Sequence, residues 1–146
     1  MEFMKKVETK RRFLGRVSHG MDLLDAITAF CCERDLHLGR VMAIGAVQRA
    51  RLGFYRQDTH EYEYIDIGEP MEIATLIGNI SVKDGKPFPH IHVTLADREG
   101  RIVGGHLATG TITFACEVMV EEWYGPAFTR VPDATTGLSL WEEPIL

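Results

Sequence analysis

Apolar and polar positions alternate every second residue along most of this chain, and one segment breaks that rhythm. Alternation with period two puts unlike side chains on the two faces of a strand, whereas a helix repeats its apolar positions every three to four residues. The exception is residues 21–34, where Leu23, Leu24, Ile27, Phe30 and Cys31 form one stripe and Asp22, Asp25 and Glu33 fall outside it. Asp22 and Asp25 stand near its start, where carboxylates complement the helix dipole. This is the one strong helix the pattern predicts.

The remainder reads as strands. Residues 12–18 form a first strand that ends at His19-Gly20. Residues 41–47 are a run of small, largely apolar side chains suited to a strand buried on both faces, continued outward by Arg49, Arg51, Phe54 and Tyr55. A turn at 57–60 precedes a half-exposed return strand at 61–66, and residues 71–82 make another long strand. Residues 83–87 have loop composition. Residues 111–122 place Ile112, Phe114, Cys116, Val118 and Val120 on one face; residues 123–126 break that strand, and 128–131 form a short last one. The tail, 132–146, is predicted to be extended and draped over a neighbour. The sum is one α+β domain over 1–146, with a core at about 12–130 and the helix packed on a largely antiparallel sheet.

The stretch from Pro89 to Leu107 carries the chemistry. Ile91, Val93 and Leu95 alternate with His90, His92 and Thr94, and Asp97-Arg98-Glu99-Gly100 is turn chemistry. Asp opens a type I turn, and Gly takes the left-handed position that closes a three-residue hairpin loop. Asp97 then faces Arg101, His92 falls across from His106, and His90 lies on the same face. A bulge at Gly104-Gly105 would instead turn His106 away. Directly opposed residues hold their Cβ atoms about 4.5–5.5 Å apart, so three imidazoles converge as a metal or anion site requires. Bound to zinc, three neutral imidazoles leave a fourth position open, where a water's pKa falls to about 7.

Composition narrows the classes. The chain has 146 residues, 45% of them hydrophobic, enough for one real core. No apolar run approaches the roughly 20 residues of a membrane span, and the start has no signal-peptide core, which predicts a soluble, cytoplasmic protein. Cys31, Cys32 and Cys116 form no C-x-x-C pair, and the first two fall in the predicted helix as small buried hydrophobes. The net charge is -5, with 16 basic against 21 acidic residues. Phosphate-gripping domains carry a basic surplus, so autonomous DNA binding is disfavoured.

Several blocks recur in a known order: Gly45-Ala46-Val47, Ala50-Arg51-Leu52-Gly53-Phe54-Tyr55, Gly78-Asn79-Ile80-Ser81, Pro89-His90-Ile91-His92, Leu95-Ala96-Asp97, Gly100-Arg101, Gly104-Gly105-His106-Leu107 and Glu117-Val118. With them, the chain resembles the plants-and-prokaryotes conserved (PPC) domain family from about residue 12 to 130. The resemblance implies an α+β fold that assembles as a homotrimer, and a link to DNA-binding proteins, since plant members carry AT-hook motifs before this domain. No Arg-Gly-Arg-Pro hook core occurs here, so the chain looks like the stand-alone prokaryotic form. The resemblance also implies a metal-binding set at His90, His92 and His106.

Three functions remain open on these residues. One is a trimeric regulatory or protein-interaction module. The second is an enzyme or small-ligand sensor dependent on zinc or another divalent transition metal. It would need an acid or base from Glu117, Asp97, Thr94 or Asn79, and Glu117 comes first if the strand after the hairpin pairs with it. The third is nucleic-acid binding through Arg49, Arg51, Tyr55 and Arg56. For these arginines surface salt bridging is the simpler expectation.

Overall fold

The computed structural model describes residues 4–142, so the last four residues of the predicted tail lie outside it. The elements run β1 (Glu8–Val17), α1 (Leu23–Glu33), β2 (Gly39–Arg56), β3 (Glu61–Ile67), β4 (Met71–Lys83), β5 (Lys86–Ala96), β6 (Ile102–Leu107), β7 (Ile112–Tyr124), β8 (Arg130–Pro132) and β9 (Ser139–Trp141). This is a mostly antiparallel β fold with one short helix, more strand-rich than an evenly mixed α+β domain.

The main sheet has the order β1-β7-β2-β4-β5-β6, with β3 also on β2. The long strand β2 plays two parts. Its first half pairs with β7 and β4, while Leu52 and Gly53 in its second half pair with Leu107 and His106 of β6. That second contact closes β2, β4, β5 and β6 into a ring, with β6 joined to β2 at Leu107 and His106. Register shifts at Ala43/Gly45 and between Val47 and Arg49 bend β2 enough to do this.

The core fills the ring's interior. Val41, Val47, Leu52, Leu76, Ile80, Ile91, Leu95 and Leu107 point inward, joined by Leu23, Ile27 and Cys31 from α1. The side chain of Asp22 caps the helix by accepting from the Asp25 amide (3.1 Å), and it also accepts from the Gly110 amide (2.6 Å). Burial pushes the Cys31 thiol up to about 12 and the Cys116 thiol up to about 11, so neither is a thiolate at neutral pH.

Several expectations need correction. The run 41–47 is buried on one face only, because Ile44 is 57% exposed. In β7 the bulge opposite Ala46/Val47 shifts the phase, so Thr113 is buried and Phe114 exposed. One extra residue reverses every side chain beyond it. Residues 83–87 are no loop: Asp84 and Gly85, both with positive φ, make a two-residue turn between Lys83 and Lys86. Strand β3 is exposed on both faces over most of its length. Cys32 is exposed. The described part of the tail folds back on its own chain: β9 pairs with β8, Trp141 stacks on Phe128, and Tyr55 Oη donates to the Thr136 carbonyl.

One buried charge ties β1 to β7. Glu122, 3% exposed, accepts from Lys10 Nζ (2.8 Å) and from Arg11 Nε. Burial alone would raise its pKa, but the hydrogen bonds from Arg11 and Lys10 outweigh it and leave the carboxyl below its usual range. A depressed carboxylate adds stability above the unfolded-state value, and this is lost as pH falls through the folded one. Glu122→Gln is therefore expected to weaken the fold at pH 7 by about 1–3 kcal/mol. It should also flatten the loss of stability on acidification below about pH 4.5. Urea melts at pH 7 and pH 4 measure both; parallel pH dependences in the two proteins would remove the assignment.

Candidate metal centre

The hairpin β5–β6 forms as its turn chemistry predicts. Asp97 N donates to Arg101 O (3.0 Å), and Asp97 Oδ1 accepts from the Glu99 and Arg101 amides (2.9 Å each). With Gly100 at φ 78° the loop closes over three residues, and no bulge intervenes at Gly104-Gly105. His92 consequently pairs with His106, Val93 with Gly105 and Ala96 with Ile102.

All three histidines stand on the outer surface of the ring, with Ile91 and Val93 buried beneath. One potential ligand atom from each of His90, His92 and His106 lies within 4.8 Å of the other two. Their ring centroids are 5.1–5.6 Å apart. Among the described residues this is the one group of three or more His, Cys, Asp or Glu side chains arranged to share an ion.

The protonation state of the rings suits metal coordination. Burial, then Arg130, His106 and His92, push the His90 pKa down to about 4. Burial, His92 and Arg130 also lower that of His106. Both rings are thus neutral at pH 7, the form that offers a lone pair. Moreover, His106 Nδ1 is buried and has no hydrogen-bond partner among the described residues. An unpaired buried polar atom costs about 1–3 kcal/mol, which coordination would relieve. Nitrogen donors around one zinc ion stand about 3.4 Å apart, within reach of small side-chain rotations from the observed spacing. The donor set therefore fits zinc or another divalent transition metal.

Two flanking residues have no signal in the local sequence. Arg130, from β8, approaches His90 with Nη2 3.4 Å from Nδ1. Tyr62, from β3, sets its ring 5.3 Å from that of His106. Gly53, opposite His106, makes that possible: a Cβ there would stand 3.1 Å from the Tyr62 ring and 3.4 Å from His106 Cβ. Asn79, opposite His90, is brought in and accepts from Arg130 Nη2 (3.1 Å). Thr94 shares the face of His92 two pairs further on.

The other candidates are elsewhere. Glu117 does not sit beside the hairpin, because β7 pairs with β1 and β2; it stands opposite Arg16 and Ile44. Three strand spacings separate β7 from β5, about 14 Å. Asp97 is at the hairpin tip, 2.6 Å from Arg101 Nε. Arg51 faces Asp66 (3.9 Å), and Arg56 faces Asp58 and Glu63 (2.5 and 3.0 Å). His19, His37 and His60 lie outside the cluster.

Comparison with known proteins agrees in extent. The family profile of the Plants and Prokaryotes Conserved domain matches residues 4–124. A metal-containing protein from Archaeoglobus fulgidus has a structure with a TM-score of 0.90 and 44% identity, covering 96% of this chain and all of that one. A plant- and prokaryote-conserved protein from Pyrococcus horikoshii gives 0.91 and 35%, covering 99% of each. A Bacteroides thetaiotaomicron protein with a provisional DNA-binding assignment gives 0.84 and 26%, covering 94% of this chain and 97% of that one. Among curated proteins, two Synechococcus strains have a bifunctional protein GlmU that is 32% and 30% identical over 84% and 89% of this chain. The chain spans about a fifth of their length.

Proposed function

The chain belongs to the Plants and Prokaryotes Conserved domain family, and on that premise we propose that it works as a homotrimeric module that holds zinc or another divalent metal on His90, His92 and His106. The convergence of three imidazoles, with one potential ligand atom from each within 4.8 Å of the others, carries the metal reading. The naming of the Archaeoglobus relative as metal-containing supports it. When bound, such an ion would act as a Lewis acid toward an oxygen-bearing ligand. Around it the chain supplies the imidazole rings, the Asn79 amide and the Arg130 guanidinium. Metal analysis of protein purified without a His tag is expected to find about one equivalent per chain, and less than about 0.2 would remove this reading.

The trimer reading rests on an apolar row across the outer sheet face. Leu14, Met119, Met42 and Ile77 are successive cross-strand neighbours, and the row runs on to His92. Leu14 is 80%, Met119 50% and Ile77 53% exposed, and Ile44 lies on a nearby row. Such a contiguous patch favours association. Light scattering is expected to give about 50 kDa, three times the 16.5 kDa chain, and Met119→Glu should shift it toward one chain. A wild-type species of 16.5 kDa would rule out the assembly.

A gene-regulatory role through partner proteins fits this reading better than a direct grip on DNA. Arg12, Arg40, Arg51, Arg56, Arg98 and Arg101 all face carboxylates, which reduces the basic surface free to meet phosphates. Among the described residues no helix is long and apolar enough to cross a membrane.

A further inference from the structure

Arg130 brings a positive charge to the histidines, and each of its hydrogen bonds goes to a neutral group. Nε donates to Ser81 Oγ (2.8 Å), Nη1 to the Ser139 carbonyl (3.0 Å), and Nη2 to Asn79 Oδ1 (3.1 Å) and toward His90 Nδ1 (3.4 Å). Among the described residues no carboxylate forms an ion pair with it. A partly buried charge without a counter-charge is costly, and a divalent cation beside it adds to the cost. This combination disfavours a closed structural metal site and favours one that recruits an anion.

The contact with His90 sharpens the point. A guanidinium has donors only, so Nδ1 must turn a lone pair toward Arg130. A metal on Nδ1 takes that lone pair. A metal on Nε2 leaves the neutral ring's proton on Nδ1, so that donor faces donor. Either way, loading the centre ends the contact and frees one Arg130 N–H. The strongest acceptor for it is an oxyanion, which also offsets the ion's charge.

We propose that the histidine centre and Arg130 together form a receptor for a small oxyanion, the carboxylate or phosphate group of a small molecule, with Tyr62 forming an aromatic wall on the His106 side. This deepens the metal reading above and rests on it. Metal and anion are then mutually dependent, because each removes the charge or contact that opposes the other.

The test uses the full chain loaded with cobalt(II), whose visible spectrum reports on its ligands. Cobalt is first counted per chain; acetate and inorganic phosphate are then titrated separately. Wild type is expected to bind at least one of them, and the tighter arm identifies the group recognised. Metal-free protein, followed by calorimetry, should bind that anion at least about tenfold more weakly. Arg130→Gln should keep one cobalt per chain yet bind it at least about tenfold more weakly, with Arg130→Lys in between. The comparison of loaded and metal-free wild type needs no variant to fold. Equal affinity in Arg130→Gln and wild type, or no response to either anion at about 10 mM, overturns the receptor and leaves the metal centre standing. A wild-type chain that takes up no cobalt overturns both.

Discussion

His106→Ala is expected to abolish metal binding at the proposed centre. His106 is the one histidine of the proposed centre contributed by β6, and its ring lies 5.1 Å from that of His90 and 5.6 Å from that of His92. Without it, His90 and His92 are adjacent face-mates on one strand, which leaves two donors for the ion. Loss of an outer partner of a metal site costs roughly 10–100-fold in affinity, and loss of a ligand should exceed that. The folded chain itself should survive, since the substitution also removes the unpaired Nδ1. Metal content after dialysis against a weak chelator, read beside a thermal melt, separates the two effects. Full retention of metal by the variant would exclude His106 as a ligand.

Gly45→Ala is the second large effect, and it strikes the fold. Gly45 has φ 144°, which L side chains rarely adopt, in the middle of the strand shared by β4 and β7. A Cβ there would stand 2.1 Å from the Ala115 carbonyl oxygen and 2.8 Å from Cys116 Cα. Both are backbone atoms of β7, held by the ladder, so neither can swing aside. Strain plus displaced pairing is expected to cost about 4 kcal/mol or more. That lowers the melting temperature by about 10 °C or leaves the protein insoluble. Gly15→Ala is the control, because nothing lies within 4 Å of its added Cβ. A Gly45→Ala melt within about 2 °C of wild type would show that β7 yields there.

The sequence was most legible where the determinants were neighbours. The hairpin register followed from Asp97 and Gly100, four residues of turn chemistry that specify every pair back to His92 and His106. The helix was legible from its stripe, and only its ends moved, to Leu23 and Glu33. Errors arose where one residue changed the phase or where pairing was distant. Phe114 shared a parity with Val118 and Val120, yet a bulge turned it outward. Glu117 was placed by assuming that consecutive strands pair, while β7 goes to β1 and β2.

Periodicity, turn residues and the spacing of His90, His92 and His106 are local properties of the chain, set by backbone sterics and by side chains a few positions apart. They suffice to place three imidazoles on one face of a ribbon. What surrounds that face is decided by closure of the ring, which sets Gly53 and Tyr62 against His106, and by the β8–β9 return, which brings Arg130 to Asn79 and His90. Arg130 lies 40 residues beyond His90 in the chain, and no local rule links them. Contacts of that span arise from the packing of the whole sheet, which only the tertiary structure resolves.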